Sequence, residues 1–232
     1  MNFESELKEL NVELNEKIES SFNMYYEKLV SVNEYMNLTA ITERSEVYNK
    51  HFYVSLTILK ALKDMHNFIL CDVGSGAGFP SIPLAIVRND VDVTIIDALN
   101  KRINFLNELI NELNLSNAHA YHARAEEYQR TKRETFDVVT ARAVARLNVL
   151  LELCMPLVKV GGLFIAMKGK DSNNELIEAS KAINILGGKI KETITLELPD
   201  GAGTRDIIVI EKIKECNSKY PRSFAKIKEK PL

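Results

Sequence analysis

Cysteine is scarce in this 232-residue chain, with only Cys71, Cys154 and Cys216. They are odd in number, far apart and without a C-x-x-C pair, which speaks against a disulfide framework or a structural zinc site and suits a reducing compartment. No apolar run approaches membrane-spanning length. The start, Met1-Asn2-Phe3-Glu4-Ser5-Glu6, lacks the basic and apolar regions of a signal peptide, so a soluble cytoplasmic protein is expected. Internal repeats and low-complexity tracts are absent as well. Strong net charge is also missing, but the formal value of −2 hides a gradient from an acidic first stretch to a basic end. A near-neutral chain can still turn a basic face to nucleic acid.

What is present is a change of periodicity. From Phe3 to about Leu62 apolar residues recur at helical spacing, as in Leu7, Leu10, Leu14 and Ile18, which predicts a helical section without strands over residues 1–62. Beyond it, strands are expected at 68–73, 91–97, 117–122, 136–140 and 162–168, with helices at 80–88, 99–114 and 146–158. Such alternation implies an α/β fold whose mostly parallel sheet is covered on both faces. In the helix from Leu99, the residues Ile103, Leu106, Ile110 and Leu113 form one stripe that packs on the sheet. After a helix at 173–186, strands at 189–198 and 204–210 are joined by Pro199-Asp200-Gly201-Ala202-Gly203 alone. A parallel crossover needs a dozen or more residues, so this pair is a hairpin and the last of seven strands runs antiparallel to the others. The domain thus covers 63–212, and the basic tail 213–232 is expected to be loosely held.

The segment Ile69-Leu70-Cys71-Asp72-Val73-Gly74-Ser75-Gly76-Ala77-Gly78-Phe79-Pro80 ends an apolar strand in an acid and alternating glycines. A backbone turning sharply against a ligand needs such glycines, and a helix starting near Pro80 adds unpaired N–H groups. Phe79 stands where a dinucleotide fingerprint wants its final glycine, which moves the expected cofactor from NAD toward S-adenosylmethionine. A plain structural turn is the alternative. Asp72, Gly74, Gly76, Gly78 and Phe79 are therefore candidate cofactor residues.

In an open parallel sheet the ligand lies beyond the C-terminal strand ends. Asp97 ends the second strand and either binds ribose hydroxyls or caps the next helix, as Asn100 could equally do. Ala125 and Glu126 either flank an adenine or form the first turn of a short helix. Arg142, after the fourth strand, holds a phosphate, a guanine edge or the cofactor, or else is a surface ion-pair residue. Lys101, Arg102, Arg146, Lys168, Lys170 and Arg205 are candidates for a basic rim that binds RNA. His119 and His122, three apart on a strand, make a poor metal pair. Neither an Asn/Asp-Pro-Pro-aromatic motif nor a Pro-Cys nucleophile follows the fourth strand, and Cys154 is expected to be packed in a helix.

Five ordered blocks, namely Asn33-Glu34-Tyr35-Met36-Asn37-Leu38-Thr39-Ala40-Ile41, His51-Phe52 with Ser55-Leu56, Asp72 to Pro83, Asp97 to Leu106, and Ala141-Arg142-Ala143, together resemble the bacterial small-subunit ribosomal RNA guanine-N7 methyltransferase family, also called glucose-inhibited division protein B. The resemblance implies a class I, Rossmann-like methyltransferase fold, S-adenosylmethionine as cofactor, and methylation of a guanosine in the decoding-region loop of 16S rRNA, free or in the small ribosomal subunit. Carried onto matching positions, it implies cofactor contacts at Gly74, Phe79, Ala125, Glu126 and Arg142. Two departures stand out. Ser81 replaces the family's usual glycine, and the tail from Tyr220 keeps the Pro-Arg start and Lys-Pro-Leu end without the usual middle. Outside this class, the competing readings are a noncatalytic ribosome-assembly factor on the same fold, which would bind no S-adenosylmethionine, and an NAD-dependent oxidoreductase, disfavoured by Phe79 and the terminal hairpin.

Overall fold

β1 (Phe68–Val73) is apolar at nearly every position because it lies inside a sheet covered on both sides, and only Ile69 in it is partly exposed. It pairs in parallel with β2 (Val91–Asp97) and with β4 (Phe136–Arg142). The computed structural model describes residues 3–169 and 172–232. Its seven-stranded sheet has the order β3-β2-β1-β4-β5-β7-β6, where β3 is Ala118–His122, β5 Val158–Lys168, β6 Gly188–Glu197 and β7 Thr204–Lys212. β7 runs antiparallel to both its neighbours, β5 and β6. It is thus the one reversed strand, as the short connection requires.

Alternating residues divide the core in two, the period-two rule of strands applied across a whole sheet. Leu70, Val93, Ile95, Val138, Ile165 and Val209 face one cluster, with α1 (Phe3–Glu9), α2 (Glu16–Met36), α5 (Ser81–Val87) and α6 (Asn100–Glu112). Cys71, Val73, Val139, Phe164 and Ile208 face the other, with α7 (Ala125–Lys132), α8 (Leu147–Cys154), α9 (Ser172–Ile185) and α10 (Phe224–Glu229). The α6 stripe is buried as its spacing predicts, down to Leu106 at 0% exposure. α2 starts where Asn15 accepts a hydrogen bond from the Ile18 N–H at 2.9 Å and stops at Asn37, whose left-handed backbone returns its N–H to Asn33. No helix among the described residues is long and apolar enough to cross a membrane.

Between α2 and β1 the chain forms α3 (Arg44–Val47), a π-helical stretch Tyr48–Tyr53, α4 (Val54–Leu56) and a 3-10 turn Thr57–Lys60. The short helix allowed for from Ala125 is present as α7, a polar segment with only Ala125 buried. Two sequence expectations need correction. The helix expected over 146–158 ends at Cys154, and Val158 already opens β5. The tail is not loosely held. Cys216, Tyr220 and Ile227 are buried in the second cluster, and Arg222 donates to the fully buried Glu152 through its N–H, Nε and Nη2 at 2.8, 2.8 and 2.6 Å.

Candidate active site

At the end of β1 the backbone takes positive φ at Gly74, Gly76 and Gly78. A Cβ on Gly78 would lie 2.7 Å from Ile82 and 2.8 Å from the Tyr25 hydroxyl, so no larger residue fits there. A Cβ on Gly76 would meet nothing within 4 Å, which leaves that side of the turn open to a ligand. The Tyr25 hydroxyl, reaching across from α2, donates to the Ala77 carbonyl at 2.6 Å. Below the turn, Asp72 is wholly buried and neither carboxylate oxygen has a full hydrogen bond among the described residues. Burial pushes its pKa up to about 7, against the lowering pull of the nearby Ser81 hydroxyl and N–H. Ser81, the departure at this turn, is itself fully buried and donates to the Gly78 carbonyl at 3.5 Å. An unpartnered buried carboxylate beside an open glycine turn fits a ligand that brings a positively charged amino group.

Phe79 closes the turn as one layer of a stack. The His51 ring lies 4.6 Å from it at 15°, the Tyr25 ring 5.6 Å away at 24°, and the Arg142 guanidinium 5.6 Å over its face. His51 contacts the Thr39 hydroxyl at 2.8 Å, and burial, aided by the Arg142 charge, lowers its pKa to about 4. It is therefore neutral at pH 7. Arg142 donates to the Lys50 carbonyl at 2.6 Å, the Ser55 hydroxyl at 2.9 Å and the His51 carbonyl at 3.4 Å. Burial and the Arg205 charge lower its pKa to about 10, which leaves it a cation. The surface ion-pair alternative for Arg142 is overturned, since its partners are carbonyls and a hydroxyl of the N-terminal helical section. Tyr25, His51 and Ser55 were not expected as site residues. In the sequence Tyr25 is indistinguishable from the apolar stripe of α2, while His51 and Ser55 belong to one of the family-like blocks and their four-residue spacing hints at a shared face.

Asp97, 4% exposed, accepts from the Gly76 N–H at 3.2 Å, the Leu99 N–H at 2.9 Å and Arg102 at 3.3 Å. It braces the glycine turn and the start of α6 together, while Asn100 makes no cap. An apolar pocket of about 190 Å³ opens beside it, lined by Gly74, Asp97, Ala125, Glu126, Val144 and Phe224. Ala125 and Glu126 line the pocket and also open α7, the helix start expected for them. A second cavity, about 490 Å³, has Thr57, Arg142, Met167, Lys168, Arg205 and Asp206 in its wall.

The expected basic rim is brought together only in part: Lys168 and Arg205 share the wall of the larger cavity with Arg142, and the other candidates lie elsewhere or are paired with carboxylates. Lys168 is 9% exposed, ion-paired with Glu175 at 2.7 Å and bonded to the Ala145 carbonyl, because the long β5 carries it inside the fold. Arg102 pairs with Asp97 and Arg146 with Glu178, at 3.3 and 2.7 Å. Lys101 is exposed on α6, reaching the Met36 carbonyl at 3.4 Å, and lines neither cavity. Lys170 lies outside the described residues.

The family model described as GidB, rRNA small subunit methyltransferase G, matches residues 18–202. The ribosomal RNA small subunit methyltransferase G of Lactobacillus johnsonii is 48% identical over 99% of this chain and 98% of its own length. That of Staphylococcus epidermidis is 51% identical over 97% and 95%. Among solved structures, an S-adenosylmethionine-dependent methyltransferase from Aquifex aeolicus has a TM-score of 0.55 at 18% identity, covering 72% of this chain and 93% of that one, which shows a shared fold. With its sheet order, its glycine turn and relatives matching nearly end to end, the chain belongs to the GidB family, rRNA small subunit methyltransferase G.

Proposed function

We propose that this chain, a monomer in the cytoplasm, transfers a methyl group from S-adenosylmethionine to N7 of a guanosine in the decoding-region loop of 16S rRNA, free or within the small ribosomal subunit. The observation that carries this is the position of Arg142. It covers Phe79 at the end of the glycine turn and also lines the larger cavity, so one cation borders both a cofactor site and a substrate site. When bound, S-adenosylmethionine supplies an electrophilic methyl group on a sulfonium. Asp72 would hold its amino group, Gly74, Gly76, Gly78 and Phe79 its methionine side, Asp97 its ribose, and Ala125 and Glu126 its adenine.

Guanine N7 has an in-plane lone pair and no proton, so this chemistry needs no general base. His51, with its pKa near 4, has no proton to take and serves the stack instead. The protein supplies alignment of nucleophile, methyl carbon and leaving sulfur, a contribution that reaches about 7–11 kcal/mol in favourable systems. Arg142 orients the nucleotide or the cofactor. A base in folded RNA must be unstacked before it reaches such a cavity, which suits a loop target. The test is methyl transfer from labelled S-adenosylmethionine to small-subunit rRNA, followed by mass mapping of 7-methylguanosine in cells with and without the gene. Loss of one such modification without the gene is expected, and an unchanged pattern overturns the assignment.

A further inference from the structure

We propose that Phe224, from the C-terminal tail, forms a wall of the adenine site and covers the base by aromatic contact. This rests on the cofactor proposed above and adds a residue from a segment that otherwise serves only to pack. Phe224 lines the 190 Å³ pocket together with Gly74, Asp97, Ala125 and Glu126, yet is still 39% exposed. An aromatic ring at the mouth of an apolar pocket, with carboxylates at its edge, matches a purine, which offers two apolar faces and a polar rim.

The ring is held there on both sides. Two residues before it, Arg222 locks onto the buried Glu152 of α8, and three residues after it, Ile227 is 0% exposed within the second core cluster. Arg133 also donates to the Tyr220 carbonyl at 2.8 Å. These anchors fix α10 independently of Phe224, whose side chain is left 39% exposed at the pocket. This explains how a large apolar residue stays partly exposed on an otherwise packed tail.

Calorimetry with S-adenosylhomocysteine and with 5′-methylthioadenosine, which keeps the adenosine but lacks the amino acid, tests the assignment. Phe224→Ala is expected to weaken both ligands about ten-fold at an unchanged melting temperature, and Phe224→Tyr to restore them to within about two-fold. Asp72→Asn is expected to weaken S-adenosylhomocysteine and spare 5′-methylthioadenosine. Because the chain has no tryptophan, Phe224→Trp carries the only indole, and its emission is expected to change saturably with S-adenosylhomocysteine. If Phe224→Ala binds as tightly as the wild type, or tighter, the ring is a bystander or a plug and the inference falls alone. An unchanged indole emission while calorimetry records binding overturns it equally. If the wild type binds neither ligand, the cofactor proposal falls, and the adenine wall with it.

Discussion

Asp72 and Arg142 are the two side chains whose surroundings most constrain their chemistry. Burial first, and the Asp97 charge in addition, raise the folded pKa of Asp72 to about 7. An acid raised in this way binds more protons folded than unfolded between about pH 4 and 7, so its contribution to stability grows as pH falls through that window. Melting temperatures of the unliganded protein from pH 8 to 5 are therefore expected to show this component in the wild type and lose it in Asp72→Asn. Identical slopes for the two proteins would remove the argument. A cationic ligand group favours the anion, so S-adenosylmethionine affinity is expected to move oppositely and weaken as pH drops below about 7. Arg142 faces a different constraint, since three backbone or hydroxyl acceptors fix its planar fork. Arg142→Ala is expected to abolish methyl transfer almost completely with the fold intact, and wild-type turnover in that variant would end its proposed role. The next residue, Ala143, holds φ +55, a region disfavoured for a residue with a Cβ, and so turns the chain sharply as it leaves the crevice.

Elements show which parts of the sequence announce themselves. The α6 stripe and the alternation of β1, β2 and β4 with helices were legible because burial on one or both faces writes a period into the residues. The extent of α7 and the existence of α10 were not, since each buries a single side chain, Ala125 and Ile227, and so writes almost no period into the residues. The same limit hid the N-terminal section's role. Its apolar spacing announces helices, but nothing in it signals that the π-helical stretch turns the Lys50 and His51 carbonyls toward an arginine over ninety residues away. Such wide turns occur mostly at functional positions. Tyr25→Phe, which removes the bond to the Ala77 carbonyl, is expected to cost about 1 kcal/mol in urea unfolding and to weaken cofactor binding through the loosened turn. Arg222→Ala leaves the carboxylate of Glu152 buried without its cation, so a larger loss, about 3–5 kcal/mol, is expected from the same measurement. A loss under 1 kcal/mol would show the tail to be dispensable for stability.

For the whole molecule, the balance of charge decides how RNA is approached. A chain of formal charge −2 with Arg102, Arg146 and Lys168 already committed to carboxylates offers, among the described site candidates, Lys101, Arg142 and Arg205 as cations without an acidic partner. Three phosphate contacts to single-stranded RNA give a log–log salt slope of about 2 in magnitude, at about 0.7 each. Binding of a decoding-loop RNA between 50 and 300 mM salt is expected to follow that shallow line, and a slope near zero would remove the electrostatic part of the proposal.

The placement of β7 has a consequence for the life of the chain. The last strand among the described residues is not an edge but is inserted between β5 and β6, and its first residues bring Arg205 and Asp206 to the wall of the larger cavity. A product of incomplete translation that stops before Thr204 would lack that wall and leave β5, apolar and eleven residues long, as an open edge that invites pairing with other chains. β7 thus does two things at once, closing the edge of β5 and completing the cavity wall.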